Sequence, residues 1–367
     1  MITKGDDYPL HQTPDPMAYT GANRNFYDRF FFNGYDRRGE IFFAAALGVY
    51  PYLNVMDAAF SVVIEGVQHN VYGSKVMHME RMDTEVGHVK IEIVEPLSVL
   101  RVVCEDEANG IRADVTFTAR TPAHEEPRFM RRSGSQVMMD VTRMTQNGTW
   151  AGWVEVKGRR INVKADNFRG TRDRSWGIRS VGQADPQTNP DAMIPQFYWL
   201  WAPLNFDEFA THYFVNDDQD GIPWNGNGVV IPLLDSENET VEKMQSWSSK
   251  IQFESGRRTA KSTEIDFVTS AGEQWNLKLT TQWNFYMKGI GYGHEHFGHG
   301  SYHGELETGY DEFILAEVDA TNLHVQAMCD VVLTTPNKTH QGQGILEQLI
   351  FGPHAPSGFT ELMDMAP

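Results

Sequence analysis

Ten residues, Gly170-Thr171-Arg172-Asp173-Arg174-Ser175-Trp176-Gly177-Ile178-Arg179, gather three guanidinium groups, one carboxylate and one indole between glycines. Two chemistries fit that pattern. Asp173 can tie down a turn by accepting hydrogen bonds from Arg172, Arg174 or nearby amides. It can also serve as a general acid, if Trp176 and other aromatic rings exclude water and keep its proton in place. The two pull against each other, because arginine neighbours lower a carboxylate pKa while burial raises it.

A second run, Gly291-Tyr292-Gly293-His294-Glu295-His296-Phe297-Gly298-His299-Gly300-Ser301-Tyr302-His303-Gly304, carries four of the chain's 13 histidines. In an extended segment His294 and His296 share one face. The density invites a metal reading. The interrupting glycines, and the lack of an HExxH helix or a cysteine pair, favour hydrogen bonding, proton transfer or packing instead. No tightly held ion is expected at His294, His296 and His299. Tyr292 and Tyr302 read either as core rings or as hydroxyls aimed into a cavity.

A third element, Phe197-Tyr198-Trp199-Leu200-Trp201, reads as an aromatic strand. At period two, Tyr198 with Leu200, or Trp199 with Trp201, would face a pocket. Indole faces stabilise a transient carbocation. His212 and Tyr213 in the following strand would add a polar contact. Asn23 to Gly34 reads as a strand with a turn that could rim an apolar cavity.

Taken in order, Gly-x-Arg-Asp-x-Ser-Trp-Gly, the aromatic strand, the Gly-Tyr-Gly-His…His-Gly run and Gly304-Glu305-Leu306…Gly309-Tyr310 resemble the carotenoid 1,2-hydratase (hydroxyneurosporene synthase) and AttH-like superfamily. The likeness spans roughly residues 20–330 and is nearest a bacterial branch without an assigned reaction. It implies the double lipocalin-like architecture also found in tocopherol cyclases and some fungal Diels–Alderases. It further implies that Asp173 is the counterpart of an aspartate proposed as proton donor.

The elements that must position these residues are strands. Val86 to Ile93, Leu97 to Glu105, Ile111 to Ala119, Thr149 to Val156 and Arg160 to Lys164 alternate apolar and polar residues between turns such as Asn109-Gly110 and Lys157-Gly158. Phe197 to Trp201, Thr211 to Val215, Ser249 to Phe253, Glu264 to Thr269, Trp275 to Thr281 and Glu312 to Val318 continue the style. Gly344 to Ile350 and Thr360 to Met365 read as short helices. The expected fold is all-β, with two antiparallel lipocalin-like β-barrel or sandwich domains in tandem, 1–185 and 190–367. The linker Gly182 to Asp191 joins them. The first motif then closes one domain and the second lies inside the other, so that both would border a shared pocket.

With 31 Lys plus Arg against 49 Asp plus Glu, a formal charge of −18, the surface repels nucleic acid and anionic membranes. No apolar run is long enough to span a bilayer. The N-terminal residues hold no apolar signal region, and Cys104 and Cys329 read as buried free thiols, which suits the cytoplasm. The phosphate-loop, dinucleotide, nucleophile-elbow and CxxC motifs are absent, so no cofactor is expected. The sequence therefore predicts a hydratase, dehydratase or isomerase working on a small apolar, terpenoid-like or polycyclic substrate. Asp173, His294, His296 and Tyr292 are the catalytic candidates. Trp176, Tyr198, Trp199, Trp201, His212, His299 and Tyr302 are the substrate-binding candidates. A carrier of lipid or terpenoid and a pericyclase are the alternatives, and a homodimer is compatible with the sequence.

Overall fold

The computed structural model describes residues 2–10, 23–184, 195–237 and 240–367. Among them there is no α-helix, and the connections are turns and short 3-10 segments. The expected linker lies mostly outside the described residues. The chain forms two compact units that are not consecutive halves. One holds Met1–Ala192 and Lys288–Ile314, the other Met193–Met287 and Leu315–Pro367.

The first unit begins with β1 (Phe26–Asp36), β2 (Ile41–Tyr50), β3 (Val55–Ile64) and β4 (Val67–Val76). There follow β5 (Glu85–Val86), β6 (Val89–Glu95), β7 (Val99–Asp106), β8 (Ile111–Ala119), β9 (His124–Glu125) and β10 (Phe129–Ser133). The long β11 (Gln136–Val156), β12 (Arg159–Val163) and β13 (Phe168–Ile178) complete its first stretch of chain. The second unit holds β14 (Phe197–Phe206), β15 (Phe209–Asp217), β16 (Pro223–Pro232), β17 (Glu242–Lys243), β18 (Ser246–Phe253), β19 (Ala260–Val268) and β20 (Gln274–Tyr286). The chain then returns to the first unit for β21 (Leu306–Ile314) before ending in the second with β22 (Val325–Thr334) and β23 (Thr339–Phe351).

Each unit is one curled antiparallel sheet. The first runs β21-β4-β3-β2-β1-β13-β11-β8-β7-β6-β5, with β9, β10 and β12 also on β11. Beyond these pairings, β5 and β6 pack against β3, and β5 against β4, which folds the sheet over its own core. The second runs β17-β16-β15-β14-β23-β22-β20-β19-β18. The strict alternation of Ile111 to Ala119 reappears as alternating burial along β8, one face in the core and one half-exposed. In contrast, β2 is buried at every position and β3 at all but Asp57. A strand buried on both faces loses its period-two signal.

Three sequence expectations change here. Gly344 to Ile350 is strand, the inner part of β23, because its apolar residues fill a sheet core, and Thr360 to Met365 is irregular. The histidine run is not extended; it is a chain of turns between Tyr286 and β21. It also belongs to the first unit, since β21 pairs along its whole length with β4 and becomes the edge of that sheet. Both cysteines are buried free thiols, and burial pushes both up from the ordinary thiol range.

Candidate active site

Strand register settles which side chains of the first unit share a face. Residues paired across neighbouring strands point the same way. One rung of the sheet carries Ser175, Arg29, Gly48, Asp57, Ser74 and Glu307 on β13, β1, β2, β3, β4 and β21 in turn. The next carries Asp173, Phe31, Ala46, Ala59, Tyr72 and Gly309, and the one after it Thr171, Asn33, Ala44, Ser61, Asn70 and Asp311. This outer face is polar and aromatic. Its opposite, inner face carries the apolar core of Phe30, Phe32, Phe43, Ala45, Leu47, Phe60 and their neighbours.

The histidine run lies across the outer face as a strap, and the polar side chains fasten it. Ser61 Oγ donates to Gly289 O at 2.7 Å, and Ser74 Oγ donates to Ser301 O at 2.8 Å. Arg29 donates to Ile290 O at 3.0 Å and to the Tyr292 hydroxyl at 2.8 Å. A Cβ at Gly289 would lie 2.2 Å from Asn70 Oδ1 and from Gln68 Nε2, so a side chain there would have to displace these two buried amides.

Beneath the strap, Asp57 borders a crevice with Tyr72, Ser74, Phe297, Gly298 and His299 among its walls. The space within it, part of it open to solvent, is about 280 Å³, with room for roughly one fully lodged water. Asp57 Oδ1 accepts from the Tyr50 hydroxyl at 3.1 Å and Oδ2 from the Gly300 amide at 2.7 Å. The side chain keeps some accessible surface through the crevice, yet protein surrounds it closely. Burial raises its pKa from 3.8 to about 6, against the pull of the Gly300 amide, Arg29, Tyr50 and Arg179. The sequence reading missed this carboxylate. The available signal was one acid inside the apolar stretch Val55-Met56-Asp57-Ala58-Ala59-Phe60.

The histidines of the strap hold it in shape. His294 Nδ1 accepts from the backbone amides of His296 and Phe297, at 3.1 and 2.9 Å, so the ring proton sits on Nε2 and is shared with Asp311 at 3.1 Å. Asp311 in turn accepts from Asn70 and Tyr72. His299 accepts from Arg179 on Nδ1 at 3.0 Å and donates from Nε2 to Ile290 O at 2.9 Å. Both nitrogens of each ring are thus engaged. Tyr292 packs edge-on to His299 and under Arg29, while Tyr302 is 66% exposed. His296 contacts Glu307 and His303 at the strap's outer rim.

The arginine motif is strand, not turn. Alternation along β13 sends Arg172, Arg174 and Trp176 to one face and Asp173 to the other, so the indole is not the plate beside that carboxylate. Gly170 serves close packing, since a Cβ there would meet Asn33 O at 2.1 Å. On the inner face Arg172 pairs with Asp7 and Arg174 with Asp28, all four fully buried. Asp173 is half-buried on the outer face. The motif does reach the strap, through Arg179 and His299.

Tyr198, Trp199, Trp201 and His212 belong to the second unit. Tyr198 stacks on His354 at 4.1 Å and faces the core with Leu200. Trp199 and Trp201 take the opposite face of β14, also buried, with the Trp199 indole N–H donating to Glu347 at 3.3 Å. His212 is buried on β15 opposite Pro203.

The fold has solved counterparts. An AttH-like protein of Nitrosomonas europaea superposes with a TM-score of 0.54 at 13% identity, over 92% of this chain and 96% of that one. Kievitone hydratase of Nectria haematococca gives 0.53 at 14% identity, covering 88% and 89%. CghA gives 0.51 at 10% identity, covering 93% of each chain. At identities below 15% these likenesses show a shared fold, the architecture that the two motifs implied. No curated protein matches the sequence significantly. The model of one family, DUF8625, described as a family of unknown function, matches residues 2–360, and the chain belongs to that family.

Proposed function

We propose that the protein is a cofactor-independent enzyme that adds water to, removes it from, or isomerises an apolar terpenoid-like or polycyclic alkene, with Asp57 as the proton-transfer group. The observation that carries this reading is the Asp57 carboxyl, raised to about 6 beside a crevice with room for one water. A carboxyl near neutral pH can both give and take a proton in one cycle. In hydration, which needs the strap to part from the sheet because the crevice itself holds a water and no alkene, it would protonate one alkene carbon and the water would attack the other. The proton lost by that water would then return to the carboxylate. The Tyr72 and Phe297 rings beside the crevice suit a developing cation. A hydratase with this fold, kievitone hydratase, is consistent with the reading.

Asp173 is the rival acid. It shares the sheet face but sits three strands and one rung away, roughly 15 Å at ordinary strand spacing, too far to serve the same crevice. The test is incubation with terpenoid, steroid and polyene panels in heavy water. Carbon-bound deuterium in the product, lost with a rate reduction of about 10²–10⁴-fold in Asp57→Asn but retained in Asp173→Asn, supports the assignment. The reverse result moves the acid to Asp173. Turnover without deuterium, with both variants active, means a pericyclic reaction; binding without turnover means a carrier.

A further inference from the structure

We propose that His296, His303 and Glu307 bind one divalent first-row transition-metal ion of the zinc type, which pins the rim of the strap to the sheet edge. The ligand atoms of the three side chains all lie within 4.8 Å of one another. His296 Nε2 is 2.7 Å from one Glu307 oxygen, and His303 Nδ1 is 3.6 Å from the other. Ligands of a tetrahedral zinc sit roughly 3.4 Å apart, given metal–ligand bonds of about 2.0–2.2 Å. The cluster therefore reaches that geometry by shifts of about an ångström, and a water completes the fourth position.

A second observation points to a cation. His303 Nε2 lies 2.7 Å from the backbone carbonyl of His296, which can only accept, so that nitrogen carries the ring proton. Its other nitrogen, Nδ1, is thereby left facing a Glu307 oxygen at 3.6 Å, beyond hydrogen-bond distance. Donation of the remote ring N–H to a backbone carbonyl is also how metal-bound imidazoles are commonly oriented. The two rings lie 4.1 Å apart, and Phe297 packs against both as an apolar backing.

The ion would act at a distance from Asp57. Glu307 and Asp57 occupy one rung two strands apart, roughly 10 Å at ordinary spacing, so the ion does not reach the carboxyl. It does reach Phe297, a wall of the crevice, whose ring stacks on Tyr72 at 5.2 Å. Fixing His296 and His303 fixes that wall.

The experiment uses the full chain, stripped with EDTA and titrated with zinc chloride by calorimetry, with cobalt(II) absorption reporting the ligand set. One equivalent is expected to bind, with a low-coordinate cobalt band and a rise in melting temperature. His303→Gln and Glu307→Gln should weaken zinc by about a hundredfold or more, while His88→Ala, which removes an imidazole outside the ligand set, should not. Circular dichroism of each variant checks that the fold persists. The proposal is overturned if zinc fails to bind at about 100 µM, a dissociation constant about tenfold below 1 mM being the least a built site should show. It is equally overturned if binding is indifferent to His303→Gln and Glu307→Gln. In that case the cluster is held by its hydrogen bonds alone.

Discussion

On the inner face of the first unit's sheet, Asp7 and Asp28 lie buried in direct contact with Arg172 and Arg174; on the outer face, Asp57 lies against a hydroxyl and a backbone amide, with Arg29 and Arg179 acting coulombically. The inner carboxylates anchor the N-terminal segment. Asp28 accepts from the Leu10 amide at 2.6 Å, Asp7 from the Leu97 amide, and Arg174 reaches the carbonyls of Asp6 and Tyr8. The Arg174 guanidinium also lies 3.9 Å over the Phe30 ring. The contrast teaches that burial alone does not make a carboxylate reactive. Where a guanidinium touches it, charge is matched and the group builds structure. Where neutral donors solvate it incompletely, the proton is held to higher pH.

The contrast can be broken most forcefully at Asp28. Asp28→Ala leaves Arg174 buried without its partner and is expected to destabilise the protein by about 3–5 kcal/mol in urea unfolding. A loss under about 1 kcal/mol would mean that the pair is not what holds the N-terminal segment. Asp57→Asn is expected to act in the opposite direction. The unfolded carboxyl ionises near 3.8 and the folded one near 6, so the folded state binds more protons between these values. Its contribution is therefore most favourable below pH 3.8. It falls as pH rises to about 6 and leaves a deficit of about 3 kcal/mol above that. Asp57→Asn removes the deficit: urea unfolding at pH 7.5 should show a gain of up to about 3 kcal/mol that vanishes by pH 4. A destabilised variant at pH 7.5 with unchanged pH dependence would place Asp57 with Asp7 and Asp28. The smallest effect is at Tyr50. Tyr50→Phe deletes a donor that favours the ionised carboxylate, a loss of about 1 kcal/mol. The Asp57 midpoint in a carboxyl carbon NMR titration should then move to higher pH, and a downward move would refute the account of what surrounds it.

Strands with one wet face were legible in the sequence, as β8 and the β11–β12 hairpin show, because alternation reports half-burial. The strands that build the candidate site were not. Both faces of β2 and β3 are buried, so Ile41 to Tyr50 and Val55 to Ile64 read as unpatterned apolar runs that hide Asp57. The arginine motif was legible as unusual but not in its geometry. Whether Asp173 shares a side with Trp176 depends on turn or strand, and a spacing of three reverses its meaning between the two. The reach of Arg172 to Asp7 crosses 165 residues and leaves no local trace. The strap was legible in composition, yet its placement depends on β21 finding β4, a pairing that chain order alone does not suggest.

That pairing sets the order in which the protein can be made. Residues 288–314 complete a body whose other strands end at Ile178, and β14 to β20 of the second body are synthesised in between. During translation the first sheet must wait, with the β4 edge and the Asp57 face uncovered, until about three hundred residues have left the ribosome. Contacts of such long sequence separation slow folding. An exposed strand edge is open to wrong partners while it waits. Cutting the chain near residue 190 would make that exposure permanent, so the first 190 residues alone lack a strand and the strap of their own body.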